Sequence, residues 1–288
     1  MNLNDRKVLA CVDRSRFADT VADYAAWAAM RMDAPLEFLH VIDRHLEQGD
    51  GDDHSGAIGF NAQEQLLSSL SNRDAEFARA RREQGRVFLN RLRERVVAAG
   101  VPEPDTRQRH GALHETLVEQ EAGVRLFVFG RRGASAQSAQ RDLGRNVERM
   151  VRALRKPILT VTEGFRMPER VLLAFDGTAA TRKGVDMIAS SPLFQGLPIH
   201  VVMAGEESDV GRKQLDWAGQ TLEAAGFAVE AAFLAGDPEA VIAREVKARD
   251  VDMLLMGAYA HSPLRALIFG SRTTDLLRSA TIPTLLLR

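Results

Sequence analysis

The chain has 288 residues, which is enough for two domains of ordinary size, each with a core of its own. Hydrophobic residues make up 45% of it and charged residues 27%, a balance that is typical of a globular protein and excludes a disordered one. The 38 basic and 39 acidic side chains nearly cancel, so we expect no nucleic-acid partner. No apolar run approaches the roughly 18 residues of a membrane span, and the polar start lacks the apolar stretch of a signal peptide. We therefore expect a cytoplasmic protein without a membrane partner.

The first half begins with a short apolar run, "KVLACV", followed by Asp13 and by helical spacing in "TVADYAAWAAMRM". A second run, "LEFLHV", ends near Val41. Both runs are short and apolar throughout, which is typical of parallel strands that are buried on both faces. The single cysteine, Cys11, lies in the first run, and we interpret it as a buried and unreactive thiol.

The segment from about residue 43 to residue 84 opens with "DRHLEQGDGDDHSG". Its aspartates and histidines are ligand types for divalent metals, but their spacing matches no ligand pattern, so we interpret this stretch as a solvated loop. The sequence "QEQLLSSLSNRDAEFARARREQ" behind it has the spacing of an amphipathic helix or a helix extension. Arginines are frequent from here to residue 95, but Glu83 and Glu94 interrupt them, which favours a solvated helix face over a nucleic-acid surface.

The remainder of the first half alternates strand and helix patterns. "DTRQRH" is a weak strand candidate, "HETLVEQEA" has helical spacing, "RLFVFG" is a fourth strand that ends on Gly130, and "PILTVT" is a fifth. Glycines also occur in the loop after the fourth strand, at Gly133 and Gly144. The segment "EGFRMPE", residues 163–169, joins the fifth strand to the next apolar run and reads as an interdomain linker.

The second half repeats the first. "RKVLACVDRS" matches "ERVLLAFDGT", which aligns Asp13 with Asp176, and further along Gly144 aligns with Gly270. Only residues of about 43–84 have no counterpart. We therefore predict two domains, residues 1–163 with an insertion at about 43–84 and residues 169–288. Alternating strands and helices predict an α/β fold with right-handed crossovers and a five-stranded parallel sheet in each half.

In open parallel sheets, ligands bind outside the carboxyl ends of the strands, where the strand order reverses. In the second half, Asp176 follows the first strand, Val202 lies near the end of the second, and Gly257 closes the fourth. Gly270-Ser271 then precedes the helical segment "RTTDLLRSA", whose free backbone N–H groups and positive dipole end favour an anion. These positions predict a loop that holds phosphate.

An aspartate after the first strand, together with Gly-x2-Gly-x9-Gly-Ser/Thr after the fourth, resembles the universal stress protein family, and the resemblance covers nearly the whole chain as two tandem copies. The fold of that family is a Rossmann-like parallel sheet, also called adenine nucleotide alpha hydrolase-like. Its ATP-binding members hold adenine near the first-strand aspartate and the phosphates on the glycine loop. The resemblance thus implies a stress-response protein that binds ATP. Carried over by position, the implied binding residues of the second half are Asp176, Gly177, Val202, Met256, Gly257, Ala260, Gly270 and Ser271.

The two halves depart from the family pattern in different places. The implied binding residues of the first half are Asp13, Val41, Gly130, Gly133 and Gly144. There, ten residues instead of nine precede the last glycine, and Arg145 stands where Ser or Thr is expected. In the second half, Ala260 replaces the second glycine and adds a methyl group at the loop. We expect the second half to be the better site for ATP.

Three functions remain open at this point. The first is binding of ATP or a related adenine nucleotide as a regulatory ligand. The second is a scaffold that acts through protein contacts alone, which Ala260 and Arg145 favour. The third is a slow ATPase or self-phosphorylating protein, for which only the loop hydroxyls argue. The sequence contains no nucleophile motif, Walker lysine or metal-binding histidine pair, so no catalytic or metal-ligating residue is predicted.

The final strands of the two halves predict how the halves meet. In the family that the chain resembles, separate copies often dimerise by pairing these strands antiparallel, and an exposed apolar edge strand requires cover. The short linker keeps both copies at high effective concentration. We predict an internal pseudo-dimer with residues near Leu159 facing residues near Leu286, and two ligand clefts opening away from that seam. A further homodimer is compatible with this arrangement, and the sequence identifies no protein partner.

Overall fold

The computed structural model describes residues 6–42, 60–131, 145–257 and 281–287, and for the first turns of the helix that begins at Phe60 it describes the backbone alone. In the first half, the strands and helices alternate along the chain. They are β1 (Lys7–Cys11), α1 (Ala18–Met32), β2 (Leu36–Ile42), α2 (Phe60–Ala98), β3 (Asp105–His110), α3 (Leu113–Gln120), β4 (Val124–Gly130), α4 (Arg145–Ala153) and β5 (Ile158–Val161).

The described elements of the second half follow the same order up to the fourth strand. Its elements are β6 (Val171–Ala174), α5 (Ala179–Ser190), β7 (Ile199–Ala204), α6 (Asp209–Ala224), β8 (Val229–Leu234), α7 (Pro238–Ala248), β9 (Met253–Gly257) and β10 (Thr284–Leu287). Short 3-10 helices follow α3 and α5.

The ten strands form one sheet with the order β3-β2-β1-β4-β5-β10-β9-β6-β7-β8. Within each half all neighbouring strands are parallel, and the order is third, second, first, fourth, fifth. The prediction of an α/β fold with a five-stranded parallel sheet in each half is confirmed. The strand order reverses between β1 and β4 in the first half and between β6 and β9 in the second.

The two halves meet where β5 pairs with β10, and this is an antiparallel pair. Leu285 lies opposite Leu159, and Leu286 lies opposite Ile158. The hydroxyl of Thr160 donates a hydrogen bond to the carbonyl of Thr284 over 3.1 Å, inside the core. The prediction that the final strands face each other within one chain is confirmed. Because this pair is antiparallel, the carboxyl ends of the parallel strands point to opposite edges of the sheet in the two halves.

Helices cover both faces of the sheet, so each face has its own core. One cluster combines side chains of α1, α2, α5 and α6 with Leu159 and Leu285 of the seam. The other combines side chains of α3, α4 and α7 with Ile158 and Leu286. The sheet divides the core into two clusters, and each cluster runs across the seam between the halves. Both seam strands, β5 and β10, are apolar, so no solvent-exposed surface separates the two halves.

The helix before Gly100 is much longer than its counterpart in the second half. Helix α2 has 39 residues, whereas α6 has 16 and begins after Ser208, whose side chain accepts a hydrogen bond from the N–H of Gly211. The amphipathic pattern beginning near residue 63 is confirmed as part of one continuous helix. The loop or metal interpretation of residues 43–59 concerns positions outside the described residues.

The segment between β5 and β6 is held from both halves. The hydroxyl of Tyr24 donates to the carbonyl of Arg166 over 3.0 Å, and the Arg166 N–H donates back over 3.2 Å. From the other side, Oδ2 of the buried Asp252 accepts hydrogen bonds from the N–H groups of Glu169 and Arg170 at 3.0 and 2.9 Å. The connection is thus held between the middle of α1 and the residue that precedes β9.

Candidate functional site

The loop after β6 is organised by the carboxylate of Asp176. Its Oδ1 accepts hydrogen bonds from the N–H of Thr178 at 3.0 Å and from the Thr178 hydroxyl at 2.7 Å. The hydroxyl of Thr181, in the first turn of α5, lies 2.7 Å from the same oxygen. Thr178 is the residue that precedes α5, so this carboxylate fixes the entry of the chain into the helix. Asp176 itself stays exposed at the edge of the sheet.

Two features of its position favour glycine at Gly177. Its φ is +72°, in the left-handed region that residues with a side chain rarely adopt. A Cβ at this position would also lie 1.9 Å from Oε1 of Gln214 on α6. The left-handed backbone at this turn therefore favours glycine, and a larger residue would also require Gln214 to move.

The ends of β7 and β9 complete this edge of the sheet. The N–H of Phe175 donates to the carbonyl of Val202 over 2.9 Å, which ties the end of β6 to β7. Val202 and Met256 are 1% and 4% exposed, so their side chains form the floor beneath the crevice rather than its wall. At Gly257, a Cβ would come within 2.9 Å of Cγ2 of Thr181, so the missing side chain lets the end of β9 approach α5 closely.

These contacts bring Asp176 and Gly257 to the two sides of one crevice, between neighbouring β6 and β9. Thr181 connects them, because its hydroxyl contacts the aspartate and its methyl group faces the glycine. Sequence reasoning missed Thr181. Its position in the sequence could have indicated this contact, because Thr181 follows the strand-end Asp176 by five residues and lies in the first turn of a helix.

The first half places Asp13, Val41 and Gly130 at the carboxyl ends of the neighbouring strands β1, β2 and β4. Oδ1 of Asp13 accepts a hydrogen bond from the N–H of Ser15 at 3.0 Å, which resembles the turn at Asp176. The intervening residue differs, because Arg14 stands where the second half has glycine. Its Nη1 donates to Oε1 of Gln84 on α2 over 2.8 Å. The first-half crevice thus has an arginine side chain and the long helix at its border.

The loop residues proposed from the sequence cannot be placed in this geometry. They all lie outside the described residues, namely Gly133, Gly144, Ala260, Gly270 and Ser271. The phosphate loop in each half therefore remains a prediction from the sequence.

Two buried titratable groups of the described core, Cys11 and His200, have shifted pKa values. Burial raises the pKa of the Cys11 thiol well above its usual value, and the nearby Glu37 adds to this, so the thiol stays protonated. Burial lowers the pKa of the His200 imidazole, and Arg249 lowers it further.

Across the described parts of the chain, no three His, Cys, Asp or Glu side chains come together as metal ligands. Among those same parts, no helix combines the length and apolarity required to cross a membrane.

Two α/β units with crevices at their strand ends, joined in one sheet, define a tandem protein of a Rossmann-like class. A family model for the universal stress protein family matches residues 5–162 and, separately, residues 167–288. Universal stress protein Slr1230 of Synechocystis sp. is 32% identical over 286 residues, which cover 98% of this chain and 100% of that protein. The chain belongs to the universal stress protein family and is a tandem member of it.

Solved structures agree with this fold over the whole chain. A universal stress protein from Archaeoglobus fulgidus superposes with a TM-score of 0.70 at 15% identity, covering 98% of this chain and 96% of that one. A putative universal stress protein from Pseudomonas aeruginosa superposes with a TM-score of 0.62 at 18% identity, covering 98% and 92%. The resemblance stated from the glycine pattern and the strand-end aspartate is confirmed at the level of family and fold.

Proposed function

We propose that the chain binds an adenine nucleotide, with ATP as the leading candidate, as a regulatory ligand in the second-half crevice between β6 and β9. The arrangement around Asp176 carries this proposal. Its carboxylate is held by Thr178 and Thr181 at the strand end, and Gly257, which ends the neighbouring strand, packs closely against Thr181. A crevice at this point of a parallel sheet is where nucleotides bind in open α/β folds.

The proposed binding set joins residues of the described crevice to loop residues taken from the sequence. It comprises Asp176, Gly177, Val202, Met256, Gly257, Ala260, Gly270 and Ser271. An ionised aspartate only accepts hydrogen bonds, so Asp176 suits the donor groups of adenine or ribose. The glycine and serine before the last helical segment suit phosphate oxygens, because backbone N–H groups and a hydroxyl can both donate there.

The first half is proposed as a weaker site, formed by Asp13, Val41, Gly130, Gly133 and Gly144. Two departures support this ranking. The turn after Asp13 contains Arg14, which extends to Gln84, and the loop position of Ser271 is occupied by Arg145. We further propose residues 1–163 and 169–288 as the two functional units, and a cytoplasmic role in stress response for the whole chain.

Replacing Asp176 by asparagine tests the site. Asparagine keeps the size and one oxygen acceptor but loses the charge, so we expect ATP affinity of the full chain to fall at least about tenfold. The matched Asp13→Asn variant is expected to retain nearly all of the affinity. Isothermal titration calorimetry with ATP measures both. A larger loss from Asp13→Asn would assign the main site to the first half, and an absence of binding to the unmodified chain would favour the scaffold alternative.

The glycine loop is tested by Gly270→Val, because a branched side chain at that position would stand against the phosphates. We expect this variant to fold and to bind no ATP. The control is Gly144→Val, the aligned change in the first half, which should leave the ATP affinity of the second half intact. Mass spectrometry of small molecules released on denaturation identifies the ligand, and timed hydrolysis of bound ATP distinguishes a regulatory ligand from a slowly hydrolysed substrate. Unchanged ATP affinity in a folded Gly270→Val variant would contradict the loop assignment.

A further inference from the structure

A basic groove lies between the long helix α2 and the edge strand β3, at the outer end of the first half. Its volume is about 450 Å³. Six residues line it: Arg79, Arg82, Glu83, Arg86, Gln108 and His110. We call these six residues the α2 groove.

Three of the lining residues are arginines that helical geometry places on one face of α2. Positions 79, 82 and 86 are three and four residues apart, so their side chains lie one above the other. The helix backbone comes close to β3 here, because a Cβ at Gly85 would lie 2.6 Å from Nε2 of Gln108. The arginine row therefore lies along the strand, with a groove between them.

The charges in the α2 groove are unbalanced. Glu83 pairs with Arg86 through two hydrogen bonds of 2.6 and 2.9 Å. Within the described residues, neither Arg79 nor Arg82 pairs with a carboxylate. In addition, Nε2 of Gln108 is buried and has no hydrogen-bond partner there. Among the described side chains, two positive charges and an amide donor thus have no acceptor, and each of these groups is suited to an anion.

The α2 groove belongs to the first half alone. Gly85 aligns with Gly211, which places Glu83 opposite Asp209, the first residue of α6. Arg79 and Arg82 therefore lie on turns of α2 that have no counterpart in the second half. Within the sheet of the first half, β3 lies three strands away from β4, a lateral distance of about 14 Å.

We propose that the α2 groove binds a small molecule carrying two or more linked phosphate groups. Guanidinium groups match phosphate oxygens in a planar, two-pronged geometry, and two of them are available at adjacent turns of one helix. A volume of about 450 Å³ is within the range of small-molecule sites. This site is independent of the nucleotide site proposed for the second half.

Calorimetric titration of the full chain with inorganic tripolyphosphate tests the proposal. The double variant Arg79→Gln/Arg82→Gln should weaken tripolyphosphate binding at least about tenfold. The matched control is Arg81→Gln/Arg93→Gln, which removes the same charge from two exposed positions of α2 outside the groove. We expect the control to bind like the unmodified chain. All four side chains are exposed, so circular dichroism and the thermal midpoint should be the same for both double variants.

Three results would overturn the proposal. The first is the absence of saturable binding of tripolyphosphate to the unmodified chain. The second is an equal loss in both double variants, which would show a response to net charge alone. The third is tighter binding of a single-stranded oligonucleotide whose affinity rises with its length, since this would assign the arginines to nucleic acid instead.

Discussion

At the scale of single residues, Asp252 shows how a buried charge fixes the position of a connecting segment. Its side chain is fully buried, and Oδ2 accepts hydrogen bonds from two consecutive backbone N–H groups ahead of β6. Its Oδ1 forms an ion pair with Nε of Arg166 at 2.7 Å. Two residues earlier, Asp250 also pairs with Arg166, but its side chain is 59% exposed. The two aspartates therefore provide a matched pair that differs in burial.

We expect Asp252→Asn to lower the free energy of unfolding by about 2–3 kcal/mol, because a charged acceptor of two backbone donors and one guanidinium is lost in the interior. Asp250→Asn should leave the unfolding midpoint nearly unchanged, since water and salt already screen its ion pairs. Urea titrations followed by circular dichroism measure both. Equal effects of the two changes would show that burial is not what makes Asp252 important.

The sequence predicts residues at strand ends but not the contacts that they make. Asp176 and Gly257 each follow an apolar run, and the parallel sheet places such positions at one edge. Thr181 is an ordinary helix residue in the sequence, and only the fold of the turn brings its hydroxyl to Asp176. The contact of Arg14 with Gln84 joins residues that are 70 positions apart and includes part of the segment that has no repeat. Periodicity carries no signal for such a pair.

At the scale of elements, two buried glycines in helices illustrate opposite packing demands. In α5, a Cβ at Gly184 would lie 2.4 Å from Cδ1 of Leu287, the last described residue of β10. In α6, a Cβ at Gly219 would meet only the Cβ of Ala231, at an ordinary 3.7 Å. The first glycine makes room for a strand of the sheet, whereas the second does not.

Alanine at these two positions should therefore change stability in opposite directions. Gly184→Ala is expected to destabilise the protein by about 1 kcal/mol, since overpacking costs more than the gain in helix propensity. Gly219→Ala should stabilise it by about 0.5–1 kcal/mol through helix propensity alone. Thermal unfolding of the two variants provides the comparison, and stabilisation by both changes would mean that Leu287 moves aside without cost.

The identity of most elements follows from the sequence, whereas their neighbours do not. Short apolar runs predict buried strands, and the 3.6-residue pattern predicts α2 well into the inserted segment. The polar run "DTRQRH" is a weak strand signal because β3 is an edge strand that α2 covers only in part, so Arg107 is half-buried and Arg109 is exposed. The pairing of β5 with β10 is predicted by family resemblance, whereas the strand order within each half is not predicted from the sequence, because periodicity does not encode which strands are adjacent.

At the scale of the whole molecule, β10 has a central place. It pairs with β9 on one side and with β5 on the other, so it joins the two halves into one sheet. Its side chains also contribute to the cores on both faces, through Leu285 and Leu286. Chain length and composition allow a core in each half, but they carry no information on which apolar surfaces meet.

A chain that ends after Ile282 should lose this connection. Removal of β10 would leave unpaired edges on β5 and β9, and we expect the shortened protein to aggregate or to form intermolecular dimers. Removal of Arg288 alone is the control and should leave the oligomeric state unchanged. Size-exclusion chromatography with light scattering measures the mass of each. A monomeric shortened chain with an unaltered thermal midpoint would contradict the role assigned to the seam.

The antiparallel pairing of β5 with β10 also sets the limits of communication within the molecule. Because the strands of the two halves point in opposite directions, the crevice at Asp13 and the crevice at Asp176 open at opposite edges of the sheet. Ligands in the two crevices would share no contact, so any cooperativity between them must be transmitted as a coupling free energy through the central strands. The hydrogen bond from Thr160 to Thr284 lies directly on that route. One chain would thus bind two ligands at sites that influence each other only through the shared sheet.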